Sequence, residues 1–243
     1  MAASPTELSR RIANRERLIF ALDVPDLNGA KELVTRLADS VVFYKIGLEL
    51  ATSRHYFELL DWLIGQDKKV FADLKLYDIP ATVSAAVKQL SRSGASFLTV
   101  NGDRGVAEAA AQAKGERLKV LGVTVLTSVA QSDLRAMGIE LEIEQLVLQR
   151  ARQIVAAGCD GVIASGLEAA PLRAVLGANA LIVTPGIRPA DGAATHDQRR
   201  VVTPALAFRS GADHIVVGRP IRDAANPYLA ASAIQEEIAG VFG

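Results

Sequence analysis

The amino-acid sequence predicts a single (β/α)8 barrel, a TIM barrel, occupying residues 1–243 as one domain. Three observations carry that prediction. Eight short β-rich apolar runs alternate with longer Ala-rich segments of helical spacing. The runs are continuously apolar, which suits parallel strands covered on both faces. No Gly-x-Gly-x-x-Gly follows the first run, as a doubly wound open sheet binding a dinucleotide would favour. Eight strand–helix units in a chain of this length close into a barrel. No low-complexity stretch or Pro/Gly/Ser-rich linker divides the chain.

Taken in order, the predicted strands are LIFALDV (18–24), VVFYKIG (41–47), KVFADLK (69–75) and SFLTVN (96–101). LKVLGVTVL (118–126), DGVIAS (160–165), ALIVTP (180–185) and DHIVVG (213–218) complete the set. Between them, NGAKELVTRLAD, IPATVSAAVKQLSRSG and EIEQLVLQRARQIVAAG place Leu, Val and Ala at helical spacing, often with Gly near the C-terminal end. Two segments exceed a minimal barrel. One is a helix-like insert after strand five, SVAQSDLRAMG. The other is the long loop after strand seven, GIRPADGAATHDQRR, of a length that usually signals function.

Composition narrows the partner. Lys plus Arg and Asp plus Glu number 27 each, so no net positive field draws the chain to nucleic acid or to an anionic membrane. A small molecule is the expected partner. The N-terminus lacks the apolar run of a signal peptide, and no apolar stretch is long enough to span a bilayer, so a cytoplasmic protein is expected. The one cysteine, Cys159, is expected to pack as a small hydrophobe in a reducing compartment. His55, His196 and His214 show no metal-ligand spacing. His55 reads as helix surface and His214 as the start of strand eight, at the far end of the barrel. His196 could face a ligand or solvent, and Ser165 at the end of strand six lines a site at most.

The polar residues fall where such barrels place their chemistry, at the C-terminal ends of strands. Asp23 ends strand one and Lys45 ends strand two. Asp73, Lys75 and Asp78 end strand three, and Thr127 follows strand five. Arg188 follows strand seven, and Gly218 with Arg219 ends strand eight. Lys45 and Asp73 lie inside apolar runs, where an unpaired charge would be costly to bury. Strand alternation puts Asp73 and Lys75 on one face and Leu74 on the other, while Asp78 lies beyond, in a loop turning toward Pro80. A Lys between two carboxylates is expected to stay protonated. Two readings of the array remain open here, a catalytic group and a structural ion-pair network. In Val217-Gly218-Arg219-Pro220-Ile221, Gly lets backbone amides approach an anion and Arg219 offers a forked donor. Arg188 and Gln198 could reach the same phosphate from the strand-seven loop.

These residues resemble the orotidine 5′-phosphate decarboxylase family in its bacterial form. FALDVP, FYKIGLEL, FADLKLYDIPATV, VTVLTS, VTPGIRP, DQRR and VVGRPI stand in family order along nearly the whole chain. The resemblance implies decarboxylation of orotidine 5′-monophosphate to uridine 5′-monophosphate, with no cofactor and no metal. Lys75 would protonate C6 of the pyrimidine, Asp73 would sit beside the scissile carboxylate, and Lys45 would hold the array. Asp23 would bind ribose hydroxyls with Lys45, Thr127 would hydrogen-bond the pyrimidine, and Gln198, Gly218, Arg219 and Arg188 would meet the phosphate. The stretch Asp73, Leu74, Lys75, Leu76, Tyr77, Asp78, Ile79, Pro80, Ala81 and Thr82 would line the substrate. Asp78 would reach the partner's site in a homodimer.

One position departs from the family pattern, Asn101 standing where His is usual at the end of strand four. Asn keeps a hydrogen bond but cannot become cationic. The sugar-phosphate branch of the superfamily, magnesium-dependent decarboxylases and aldolases, shares Asp-x-Lys-x-x-Asp but carries a Glu at the position of Lys45. Lys45 argues against that branch. A barrel that only binds a phosphorylated ligand is the alternative outside enzymes, and the intact Asp73, Lys75 and Asp78 argue against it.

Overall fold

A computed structural model of the chain describes residues 12–189 and 202–243. Its strands are β1 (Leu18–Ala21), β2 (Phe43–Ile46), β3 (Lys69–Leu76), β4 (Phe97–Asn101), β5 (Lys119–Val123), β6 (Gly161–Ile163), β7 (Leu181–Pro185) and β8 (His214–Val217). They pair in sequence order, all parallel, and β8 closes on β1 through Leu18↔Ile215 and Phe20↔Val217. The predicted (β/α)8 barrel is the observed fold, with one strand at each predicted run and β3 reaching one residue past its run, to Leu76.

Between β1 and β4 run α1 (Leu27–Leu37), the short α2 (Leu48–Ala51), α3 (Tyr56–Gly65) and α4 (Pro80–Leu90). Next come α5 (Arg104–Ala113), α6 (Gln131–Ala136), α7 (Ile143–Ala156) and α8 (Ala169–Leu176), then α9 (Pro204–Arg209), the short α10 (Arg219–Arg222) and α11 (Pro227–Phe242). The insert after strand five forms α6. Local chemistry explains the helix starts. Asp26 accepts from the Gly29 amide, Asp103 from Gly105, and Pro80 occupies the first turn of α4, where a missing N–H costs nothing. Gly158, with φ +95°, turns the chain out of α7 toward β6.

Two apolar layers follow from the closure. Ile19, Phe43, Phe71, Phe97, Leu121 and Val183 fill the barrel interior, while the alternate strand residues pack outward on the helices. Cys159 lies in the outer layer, its thiol 3.7 Å from the Ala107 carbonyl. Burial pushes that thiol up to about 12, so it packs as a small apolar group.

The floor of the barrel holds a buried histidine. His214 stands edge-on to Phe43 and Phe97, with ring centroids 5.9 and 5.1 Å away. Its Nδ1 lies 3.0 Å from the Glu16 carbonyl, which places the hydrogen on Nδ1. Burial drives its pKa down to about 3. Unfolded, it would titrate near 6.5. Between those values the unfolded chain binds one more proton than the folded chain, so this residue lowers stability as pH falls. From pH 7 to 5 it should cost about 2 kcal/mol. Urea unfolding at the two pH values should show a loss smaller by that amount in His214→Phe. An equal loss in both proteins would contradict the assignment. His55, by contrast, is exposed and lies 3.0 Å from Glu58.

Candidate active site

At the C-terminal rim, the inward column of strand residues turns from apolar to charged. Alternation from Phe43 aims Lys45 inward, and alternation from Phe71 does the same for Asp73. Lys45 Nζ lies 3.2 Å from Asp23 Oδ1 and 3.3 Å from Asp73 Oδ2, and Lys75 Nζ lies 2.8 Å from Asp73 Oδ1. The four form one row of alternating charge. Burial pushes Asp73 up, yet Lys45, Lys75 and hydrogen bonds from Lys75 and Thr99 outweigh it and hold the carboxyl below its usual range. Asp73 is therefore an anion gripped from both sides. Gly47 leaves room for this grip, because a Cβ there would come within 3.1 Å of Lys45 Nζ.

Asp73 and Lys75 share a face as expected, with Leu74 packed outward, but a regular strand does not bring them there. Ala72 pairs with Leu98 and Leu76 with Val100, so Asp73, Leu74 and Lys75 together face Thr99 alone. The strand bulges, and Lys75 takes the left-handed φ of +48°, which costs about 1–2 kcal/mol in a residue with a Cβ. The bulge, not a regular strand, sets Lys75 against Asp73. Thr99 closes it. Its hydroxyl accepts from the Lys75 amide at 3.0 Å and donates to Asp73 Oδ1 at 2.8 Å. The sequence reading missed Thr99, although alternation from Phe97 would have turned it inward.

Asp78 stands apart from the row. Among the described residues its carboxylate accepts from the Ile79 amide, and it forms no ion pair. The loop carrying it is open to solvent, with Tyr77 68% and Ile79 67% exposed on either side and Pro80, Ala81 and Thr82 exposed beyond. Leu74 and Leu76 are half-buried against the outer apolar layer.

Two contiguous cavities open over the row, sharing Lys45, Pro185 and Val216. The larger, about 410 Å³, is lined by Asp23, Arg188, Gly218, Arg219 and Arg222. The smaller, about 180 Å³, is walled by Phe71, Val123, Ile163 and Ala164, with Asp73, Lys75 and Thr127 at its polar edge. An anion fits the first and a flat, largely apolar ring the second. Ile187 bridges Val202, and the Arg188 amide donates to the Val202 carbonyl, so the segments on either side of the strand-seven loop are joined where Ile187 and Arg188 line the larger cavity. Gln198 and His196 lie outside the described residues. Gly218 approaches β1 closely, since a Cβ there would lie 3.3 Å from the Ala21 Cβ. Arg222, also missed from the sequence, donates to the Asp23 carbonyl at 2.9 Å and so ties the strand-eight turn to strand one. Its signal was a second arginine three residues after Arg219.

The remaining sequence candidates resolve to structural positions. Asn101 Oδ1 accepts from the Asp103 amide and shapes the turn into α5. Ser165 is buried and caps the short turn after β6, its amide bonded to Glu168. No group of three or more His, Cys, Asp or Glu able to hold a metal occurs among the described residues. Nor is any helix among them long and apolar enough to cross a membrane.

Comparison with known proteins places this geometry in context. Residues 16–234 match the sequence profile described as the orotidine 5′-phosphate decarboxylase / HUMPS family. The chain is 54% identical to the orotidine 5′-phosphate decarboxylase of Methylococcus capsulatus, covering 98% of both chains. It is 55% identical to that of Stenotrophomonas maltophilia, covering 93% of this chain and 94% of the other. The fold superimposes on the crystal structure of the Lactobacillus acidophilus orotidine 5′-phosphate decarboxylase with a TM-score of 0.81. That match has 34% identity and covers 92% of this chain and 99% of the other.

Proposed function

This chain belongs to the orotidine 5′-phosphate decarboxylase family, and we infer from that membership and from the charged row that it converts orotidine 5′-monophosphate to uridine 5′-monophosphate and carbon dioxide. The reaction serves pyrimidine biosynthesis. The observation that carries the reading within the structure is Asp73, held as an anion between Lys45 and Lys75 at the edge of an apolar ring-sized cavity.

The two cavities order the substrate. The phosphate enters the larger one beside Arg188, Gly218 and Arg219, and Gln198, outside the described residues, is assigned to the same phosphate. Asp23 and Lys45 receive the ribose hydroxyls between the two cavities. The pyrimidine fills the smaller cavity, where Thr127 meets its polar edge and C6 faces Lys75. The C6–carboxylate bond then breaks with its electron pair left on C6. That carbanion is poorly delocalised by the ring, so its stabilisation falls to the fixed ammonium of Lys75. Lys75 delivers a proton to C6 and regains one from solvent. Asp73, beside the substrate carboxylate, repels it, and the repulsion vanishes as neutral carbon dioxide leaves. Phosphate contacts far from C6 supply binding energy that holds the ring in this geometry.

The chain's own residues carry each of these steps without a metal or cofactor. Activity should therefore persist in excess chelator, followed as loss of substrate ultraviolet absorbance. Loss of activity in chelator, restored by magnesium, would move the chain to the sugar-phosphate branch.

Arg219 tests the phosphate assignment. Arg219→Ala should cost about 2–5 kcal/mol in kcat/KM, the scale for truncating one partner of a buried charge pair. Orotidine, which lacks the phosphate, should react poorly with wild type and lose almost nothing further in the variant. Equal proportional losses on both substrates would show that Arg219 does not meet the phosphate.

The active form is a homodimer in which Asp78 serves the partner's site. Its exposure at the barrel rim, between exposed Tyr77 and Ile79, and its lack of an ion pair among the described residues support that placement. The compartment is the cytoplasm, in keeping with a lone reduced cysteine.

A further inference from the structure

Three consecutive residues of β3, Asp73, Leu74 and Lys75, stand opposite one residue of β4, Thr99. Such a bulge leaves ladder groups without strand partners and needs another group to define it. Thr99 supplies that group from a fully buried position. Its Oγ1 accepts from the Lys75 amide at 3.0 Å, and because Asp73 is an anion that can only accept, the one hydroxyl proton is committed to Asp73 Oδ1 at 2.8 Å. The same carboxylate oxygen receives the Lys75 ammonium at 2.8 Å. One side chain thus holds the Lys75 backbone in its left-handed conformation and the Asp73 carboxylate in its orientation.

We propose that Thr99 is a positioning residue for this decarboxylation, its buried hydroxyl fixing the Lys75 ammonium and the Asp73 carboxylate in register with each other. The proposal rests on the reading above that Lys75 and Asp73 act on the substrate. Thr99 is fully buried and lines neither cavity. Its loss should leave binding in place and degrade the chemical step, because a displacement of the proton donor by about 1 Å can cost roughly 100-fold.

Thr99→Val keeps the shape and removes both hydrogen bonds. It should lower kcat on the order of 100-fold while KM and the dissociation constant of uridine 5′-monophosphate stay within about threefold of wild type. Thr99→Ser restores the hydroxyl and should return kcat to within about tenfold of wild type. Hydrogen exchange at the Lys75 amide should be slow in wild type and Thr99→Ser and fast in Thr99→Val. Should the valine variant not fold, Thr99→Ala takes its place in the same comparison. A folded Thr99→Ser as slow as the alanine or valine variant would overturn the proposal. So would a valine variant with wild-type kcat beside an inactive Lys75→Ala, which would leave the functional reading intact. A wild-type protein unable to decarboxylate orotidine 5′-monophosphate would overturn the functional reading itself, and this inference with it.

Discussion

Lys75→Ala should lower kcat by on the order of 10⁴-fold or more, since it removes the stabilising cation and the proton donor in one change. The loss should appear in kcat far more than in affinity. The cavity assigned to the phosphate is lined by Arg188, Gly218 and Arg219, which follow β7 and β8, so the dissociation constant of uridine 5′-monophosphate should move by less than about tenfold. Folding should survive, because Asp73 keeps Lys45 at 3.3 Å and the Thr99 hydroxyl at 2.8 Å after the ammonium is gone. The assay is substrate absorbance under saturating conditions, with product binding measured on the same preparation. A variant retaining a tenth of wild-type turnover would remove Lys75 from the mechanism.

Mixing two inactive variants should restore activity. Asp78→Ala is expected to be nearly as inactive as Lys75→Ala, although Asp78 lies apart from the lysine row of its own chain. In a heterodimer of the two, one site lacks both groups and the other has both, its Asp78 arriving from the Lys75→Ala chain. Statistical exchange makes about half the dimers heterodimers, each with one intact site, so activity should approach about a quarter of wild type. Native mass spectrometry or a tagged chain would verify exchange. No recovery despite exchange would mean that Asp78 serves its own subunit.

The barrel was legible because both faces of its strands are buried, which left eight continuous apolar runs. Strand ends were less legible. LIFALDV reads as one run to Val24, yet β1 ends at Ala21. LKVLGVTVL reads to Leu126, yet β5 ends at Val123, where the Thr124 hydroxyl donates to the Ile163 carbonyl. Of the site, the charged side chains were legible because Lys45 and Asp73 are out of place in apolar runs unless they pair. The left-handed turn at Lys75 was not, since backbone conformation at a lysine leaves no compositional trace. Thr99 was hidden for a related reason. A threonine inside an apolar run reads as an ordinary strand former, and its importance arises only from the bulge across the ladder. Arg222 was passed over because its contact is with the Asp23 carbonyl, a backbone group remote in sequence. A shared site can be suggested by the exposure of Asp78 but not read from one chain.

The pyrimidine's place over the lysine–aspartate row, with the phosphate beside Arg219, is the expectation on which the mechanism turns. It is tested most directly by a crystal structure of the complex with uridine 5′-monophosphate. Lys75 Nζ should stand within about 3.5 Å of C6, a near-attack separation, with the Arg219 guanidinium on the phosphate. A nucleotide bound with C6 turned away from Lys75, or with its phosphate outside the Arg188–Gly218–Arg219 cavity, would contradict the account.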